Sequence, residues 1–352
     1  MAAYISFQPN DFYNTTTYSG NNSTQAITGV GFQPDFTWIK CRNNTDVAVL
    51  FDSVRGVTKY VSSENNSVET TDAASLTAFD SDGFSCGDTN IVNGGAGRTY
   101  ASWNWKGGTT SGITTDGSTT ITPSSYSFNQ TAGCSVLAYT GTGSNAMLAH
   151  GLGVAPAMIS IKNLEDTTDW KYYHQNLTVA DPEDYYQRWN DTSLSVDSNV
   201  IWNDTKPDAV NISLGTSTHV NDSGVTYVAY VFAEKQGYSK FGAYTGNGNV
   251  DGPFLYTGFR PAFILNKINS GTTNGWYILD NYRQNAFNPV TGVLEGNSTA
   301  AEWVGDVADF LSNGIKWTST DSGVNRDAAT YTYSAFAEFP FVSSNSIPGT
   351  AR

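Results

Sequence analysis

Basic residues are scarce in this 352-residue chain: 18 Lys and Arg stand against 32 Asp and Glu, a net charge of −14. A nucleic-acid-binding surface needs a cationic footprint, and no basic cluster is present to make one, so nucleic acid is not expected as a partner. Charge of either sign is thin. Charged residues make up 14% of the chain, against about 25% in an ordinary globular protein. No apolar run approaches the roughly 20 residues of a membrane span. The N-terminal stretch MAAYISFQPNDFYNTTTYSG has neither the basic segment nor the apolar core of a secretory signal. Neither membrane insertion nor secretion is therefore expected. Cysteine is nearly absent: Cys41, Cys86 and Cys134 are odd in number and widely spaced, with no CxxC. They read as free thiols of a protein made in a reducing cytoplasm. The histidines His150, His174 and His219 have no metal-ligand spacing, and neither a metal nor a cofactor is expected.

What is plentiful is aromatic: Phe, Tyr and Trp make up 13% of the residues. The polar remainder is Ser, Thr, Asn and Gly, residues of turns and strand faces rather than of helix surfaces. No stretch sustains helical periodicity. The class is all-β, mostly antiparallel.

The chain repeats itself. GFQPDFTWIK (31–40), GVAPAMISIK (153–162) and GFRPAFILNK (258–267) share a glycine, a proline three residues on, an apolar run and a closing lysine. A tyrosine turn (Tyr18, Tyr139, Tyr244) precedes each motif glycine by 13 or 14 residues. An aromatic segment follows each lysine by 60 to 65 residues: TYASWNWK, TYVAYVFAE and TYTYSAFAE. Landmarks kept in order at matched spacing indicate three modules. Apolar runs such as PAFILNK suit strands covered on both faces, and SDG and SNG suit turns. The expectation is three tandem β-sandwich modules of jelly-roll or lectin-like type: residues 1–108, 135–238 and 239–352, the last with a short C-terminal tail. A Gly/Ser/Thr-rich linker is expected at 109–134. The strand order stays open.

Few residues invite chemistry. No Gly-x-Ser-x-Gly, Cys/His pair or phosphate loop is present, and paired carboxylates such as Glu183 and Asp184 lie in a polar stretch. DSDG (80–83) lacks the ordered oxygens of a calcium loop and reads as a turn. No enzymatic activity is expected. Asp52/Arg55 and Asp280/Arg283 repeat at corresponding places, with His174 in the aspartate's position in the second module. They read as local ion pairs pinning a turn. Lys40, Lys162 and Lys267 recur identically. They suggest strand-end lysines reaching solvent with a packed stem, or contacts to a partner. Tyr172, Tyr173, Tyr185, Tyr186 and Trp189 fall where the second module departs from its siblings. Exposed aromatics stack on sugars or anchor interfaces, whereas buried ones would belong to the core or a subunit interface; these five and the three lysines are the candidate partner- or glycan-contact residues.

The combination of GFQPDFTWIK, LFDSVRG, FDSDGF and WNWK with IWNDTKPDAVNISLGTST, GYSKFGAYTGNGNVDGPFLYTGFRPAFIL, DFLSNGIKW and AFAEFPF is similar to a family of virion structural proteins. These belong to marine and freshwater tailed phages and are usually labelled tail or tail-fibre proteins. The resemblance runs from about Phe12 to Phe341. It implies a structural role in a virion, with no catalytic residues to carry over. One departure is that the first module begins close to Met1, with no shaft or coiled coil before it, which leaves room for a capsid decoration protein or a compact tail appendage. The expected function is tail-fibre or host-attachment adhesion, from the outside of the particle. Expected partners are other virion proteins, further copies of the chain (a homotrimer) and a host surface glycan. The alternatives are a capsid decoration protein and a polysaccharide-degrading tail appendage.

Overall fold

Each repeated motif begins with a backbone bend that only glycine adopts cheaply. Gly31, Gly153 and Gly258 have φ of +86°, +71° and +78°, in the left-handed region where a Cβ is strained. In the computed structural model, which describes residues 5–95, 97–178, 180–284, 287–342 and 347–350, the bend leads into a lysine-ended strand. These lysine strands are Phe36–Cys41, Met158–Asn163 and Phe259–Ile268. The last has a register irregularity around Pro261, as expected of a residue with no N–H to give to the ladder.

The rest of each module assembles around that strand in the same way. Opening strands (Tyr13–Ser19, Cys134–Thr140, Ser239–Thr245) pair with closing strands (Thr99–Trp105, Thr226–Phe232, Thr330–Pro340). The closing strand pairs with the lysine strand, which pairs with a short strand (Val49–Asp52, Lys171–His174, Tyr277–Asp280). The order opening, closing, lysine, short is thus identical in all three modules, and every pair is antiparallel. The fold is all-β.

A smaller second layer covers one face of each sheet. In the first module it is Gln25–Thr28, Leu76–Asp80 and Gly83–Cys86; in the second, Ala146–Ala149 and Asn211–Leu214. In the third, Phe254–Tyr256, Trp303–Leu311 and Gly314–Trp317 continue the main sheet through Val290–Glu295. Between the layers lie separate apolar cores, for example Ile27, Ile39, Phe51, Phe84 and Tyr100 in the first module.

The opposite sheet faces meet one another. One cluster joins Phe36, Trp38, Trp103 and Trp105 to Met158, Tyr172, Tyr230 and Phe232 and to Phe263, Leu265, Ile278 and Phe336. At its centre, three residues of equivalent position form a triangle. Trp105, Phe232 and Phe336 have ring centroids 5.4–5.8 Å apart. Each stands opposite Phe36, Met158 or Phe263 in its own sheet. The void left among them is only about 20 Å³. The modules therefore surround a shared pseudo-threefold axis and are not separate beads. Strands buried on both faces explain the near-continuous apolar runs.

The segment expected as a linker is only partly a connector. Ser125–Asn129 forms an edge strand beside Cys134–Thr140, and Ile121 is buried in the second module's core.

Candidate functional site

The recurring aspartate/histidine and lysine positions lie between modules. Asp52 accepts from Arg55 Nε at 2.6 Å and from the Tyr230 hydroxyl of the second module at 2.8 Å. Asp280 accepts from Arg283 Nε at 2.5 Å and from the Trp103 indole of the first module at 2.8 Å. His174 stands in the aspartate's place. Its Nε2 lies 3.1 Å from the Tyr333 carbonyl of the third module, and its Nδ1 accepts from the Asn176 N–H. These two partners require a neutral ring protonated at Nε2. The first module thus reaches to the second, the second to the third and the third to the first. The ring closes.

Burial raises the Asp280 carboxyl, but Arg283 and the Trp103 and Tyr282 N–H donors outweigh it, and the carboxyl is held below its ordinary value. Burial pushes His174 down to about 4. The expected turn-pinning ion pairs are present, with all four side chains at most 2% exposed. The same carboxylates also join modules.

The lysines close a second ring in the opposite sense. Lys40 Nζ donates to the Ser298 carbonyl at 2.6 Å, Lys162 to Asn66 at 3.3 Å and Lys267 to Thr192 at 3.1 Å. Each acceptor lies in a neighbouring module. All three lysines are at most 1% exposed, which corrects the expectation that they reach solvent. Burial lowers their pKa, to about 8 for Lys162 and Lys267, with nearby carboxylates opposing the shift. A buried ammonium is tolerated here because carbonyl oxygens replace its water.

The aromatic candidates are also interior. Tyr172, Tyr173, Tyr186 and Trp189 are buried and Tyr185 is half-buried. Tyr172 packs on Trp276 of the third module at 4.7 Å, and Trp189 on Trp38 of the first at 4.9 Å. Tyr186 lies under the Lys171 ammonium. Their surfaces are used within the chain, leaving little for a glycan or partner. Glu183 is buried and paired with Lys206 at 3.6 Å. The three cysteines are buried free thiols. Among the described residues, no cluster of His, Cys, Asp and Glu could hold a metal, and no helix is long and apolar enough to cross a membrane.

What sequence reading missed is the threefold use of corresponding positions. Trp103, Tyr230 and Ser334 sit at one position of the closing strand, and each faces the preceding module's Asp52, His174 or Asp280 strand. The signal was available: these residues align once the closing strands are superposed on their tyrosines. It went unread because their partners lie in a different repeat.

The third interface departs from the other two. Arg55 pairs with Glu69 at 3.3 Å, and Arg283 with Glu302 at 3.1 Å. The corresponding residues of the second module are Leu177 and Ser195, which form no ion pair.

A family described as a domain of unknown function (DUF7483) matches residues 8–340. The chain belongs to this family. The match spans all three modules. No curated protein and no solved structure matches the chain.

Proposed function

We propose that the chain is a non-enzymatic structural component of a tailed-phage virion that acts in host attachment, as a tail fibre or a compact tail appendage. The observation that carries this reading is the closed ring of modules. The recurring aspartate/histidine and lysine positions serve module-to-module contact, and the shared core fixes the three modules relative to one another. Such a body is suited to holding surface loops in fixed relative positions. A displayed binder gains from that arrangement because rigid presentation lowers the ordering cost of binding and multiplies weak contacts. The sequence resemblance to phage tail proteins supports the same reading. The partners proposed are other virion proteins, further copies of the chain as a homotrimer, and a host glycan.

Antibody labelling of intact particles in electron microscopy tests this. Label at the tail or its tip is the expected result; label spread over capsid faces would overturn it. That second outcome is the signature of a capsid decoration protein, a reading favoured by the internal threefold symmetry, which would seat one chain on a threefold position of a shell. Adding purified chain to host cells before infection provides a functional check. Reduced phage adsorption is expected.

A further inference from the structure

At two of the three module interfaces, a buried arginine and a glutamate fill the space beside the ring. The backbone N–H of that glutamate also reaches across to the neighbouring module. Glu69 N–H donates to the Leu164 carbonyl at 3.0 Å and Glu302 N–H to the Arg42 carbonyl at 2.6 Å. At the interface of the second and third modules, the corresponding residues are Leu177, Ser195 and Asn269. Among the described residues, no Ser195–Asn269 backbone bond forms. The charged pair is gone, the crossing bond is missing, and a groove of about 470 Å³ lies there. That size falls within the roughly 300–1,000 Å³ of ligand pockets.

The chemistry of the walls is one-sided. Asn176, Thr178, Ser195, Asn269, Ser270 and Thr330 supply amides and hydroxyls, and among the described residues no charged side chain lines the groove. Leu177, Ala243 and the edge of Tyr244 supply apolar surface. Asn269 is 7% exposed, and its Oδ1 already accepts from Gln187 Nε2 and Thr332 Oγ1, both at 3.2 Å. Those two donors fix the amide orientation. Among the described residues, its Nδ2 has no partner, so an unpaired donor lies in the groove wall. Beside it, Ser270 and Thr330 hold each other's hydroxyls at 2.9 Å, and Ser270 Oγ also accepts from the Thr330 N–H at 3.0 Å, leaving Thr330 Oγ1 a lone pair for a further donor.

We propose that this groove binds a neutral saccharide. A sugar ring offers many hydroxyls, each both donor and acceptor, with C–H faces between them. The lining of uncharged amides and hydroxyls with apolar patches matches that chemistry. An anion would find no cation there, and a cation no carboxylate. The proposal rests on the attachment reading only for the source of the sugar, a host surface glycan.

Saturation-transfer NMR on the full chain tests it, with glucose, galactose, mannose, lactose and cellobiose as neutral probes and glucuronate and sialic acid as anionic ones. Transfer to at least one neutral sugar is expected. It should fall at least tenfold in Leu177→Arg/Ser195→Glu, which rebuilds the ion pair of the other interfaces. Thr330→Trp, at an exposed position on the rim, should plug the groove, lower transfer as much and leave the unfolding midpoint unchanged; it covers the case in which the double variant fails to fold. Absence of transfer to every neutral sugar, transfer confined to the anionic probes, or transfer indifferent to Thr330→Trp would each overturn the proposal. Tail labelling without sugar binding would leave the attachment reading standing and remove only this site. Sugar binding with capsid labelling would do the reverse.

Discussion

Asp280 illustrates how single residues hold the modules together. It is fully buried and receives four hydrogen bonds, from Arg283 Nε, the Trp103 indole and the Tyr282 and Arg283 backbone N–H groups. Removing one partner of a buried pair leaves a charge without compensation, at a cost of about 3–5 kcal/mol. Asp280→Ala should lower stability by that amount in urea unfolding, and Asp52→Ala should behave alike. His174 occupies the same position without a charge and introduces a pH dependence. Burial holds His150 and His174 at about 4, below their ordinary 6.5. As pH falls through 6.5 the unfolded chain takes up these protons first. The stability they confer is therefore complete above 6.5 and is lost between about 6.5 and 4. The loss from each reaches about 3 kcal/mol at the acid end. The urea midpoint should drop from pH 7 to pH 5, and His174→Asn, which keeps an acceptor for the Asn176 N–H, should flatten part of that drop.

At the scale of strands, much was legible and the reason is physical. Gly-x-x-Pro followed by an apolar run specifies a bend and a strand buried on both faces, and all three copies form one. The SDG and SNG turns lie between paired strands, Leu76–Asp80 with Gly83–Cys86 and Trp303–Leu311 with Gly314–Trp317. Local chemistry sets these features, so local sequence carries them. The lysines were misjudged because a strand-end lysine looks the same whether water or a neighbour's carbonyl receives it. For Tyr172 and Trp189, the core-or-interface reading holds and the glycan-contact reading does not. Aromatics in a segment without a counterpart resemble an exposed binding loop until the opposite module is in place. The second-to-third interface groove was illegible for a related reason. Its signature is the replacement of Arg55 and Arg283 by Leu177, meaningful only once the ring is known. A consequence at this scale is that Lys162→Met and Lys267→Met should each cost about 1–3 kcal/mol in urea unfolding. Each leaves carbonyl oxygens of two modules without a donor. An exposed strand-end lysine would cost almost nothing.

For the whole molecule, the central claim is that three repeats form one cooperative body. Trp105, Phe232 and Phe336 come from different modules and pack as a single triangle, and both polar rings cross every interface. Trp105→Ala should cost about 3–5 kcal/mol by opening a cavity on the axis. Because the axis is shared, that loss should weaken all three modules together. A chain of independent sandwiches would lose only its first. Differential scanning calorimetry of the intact chain tests this most directly. The ring predicts one transition whose calorimetric and van't Hoff enthalpies agree, shifted as a whole to lower temperature in Trp105→Ala. Two or three separable transitions, with only one displaced by that substitution, would contradict it.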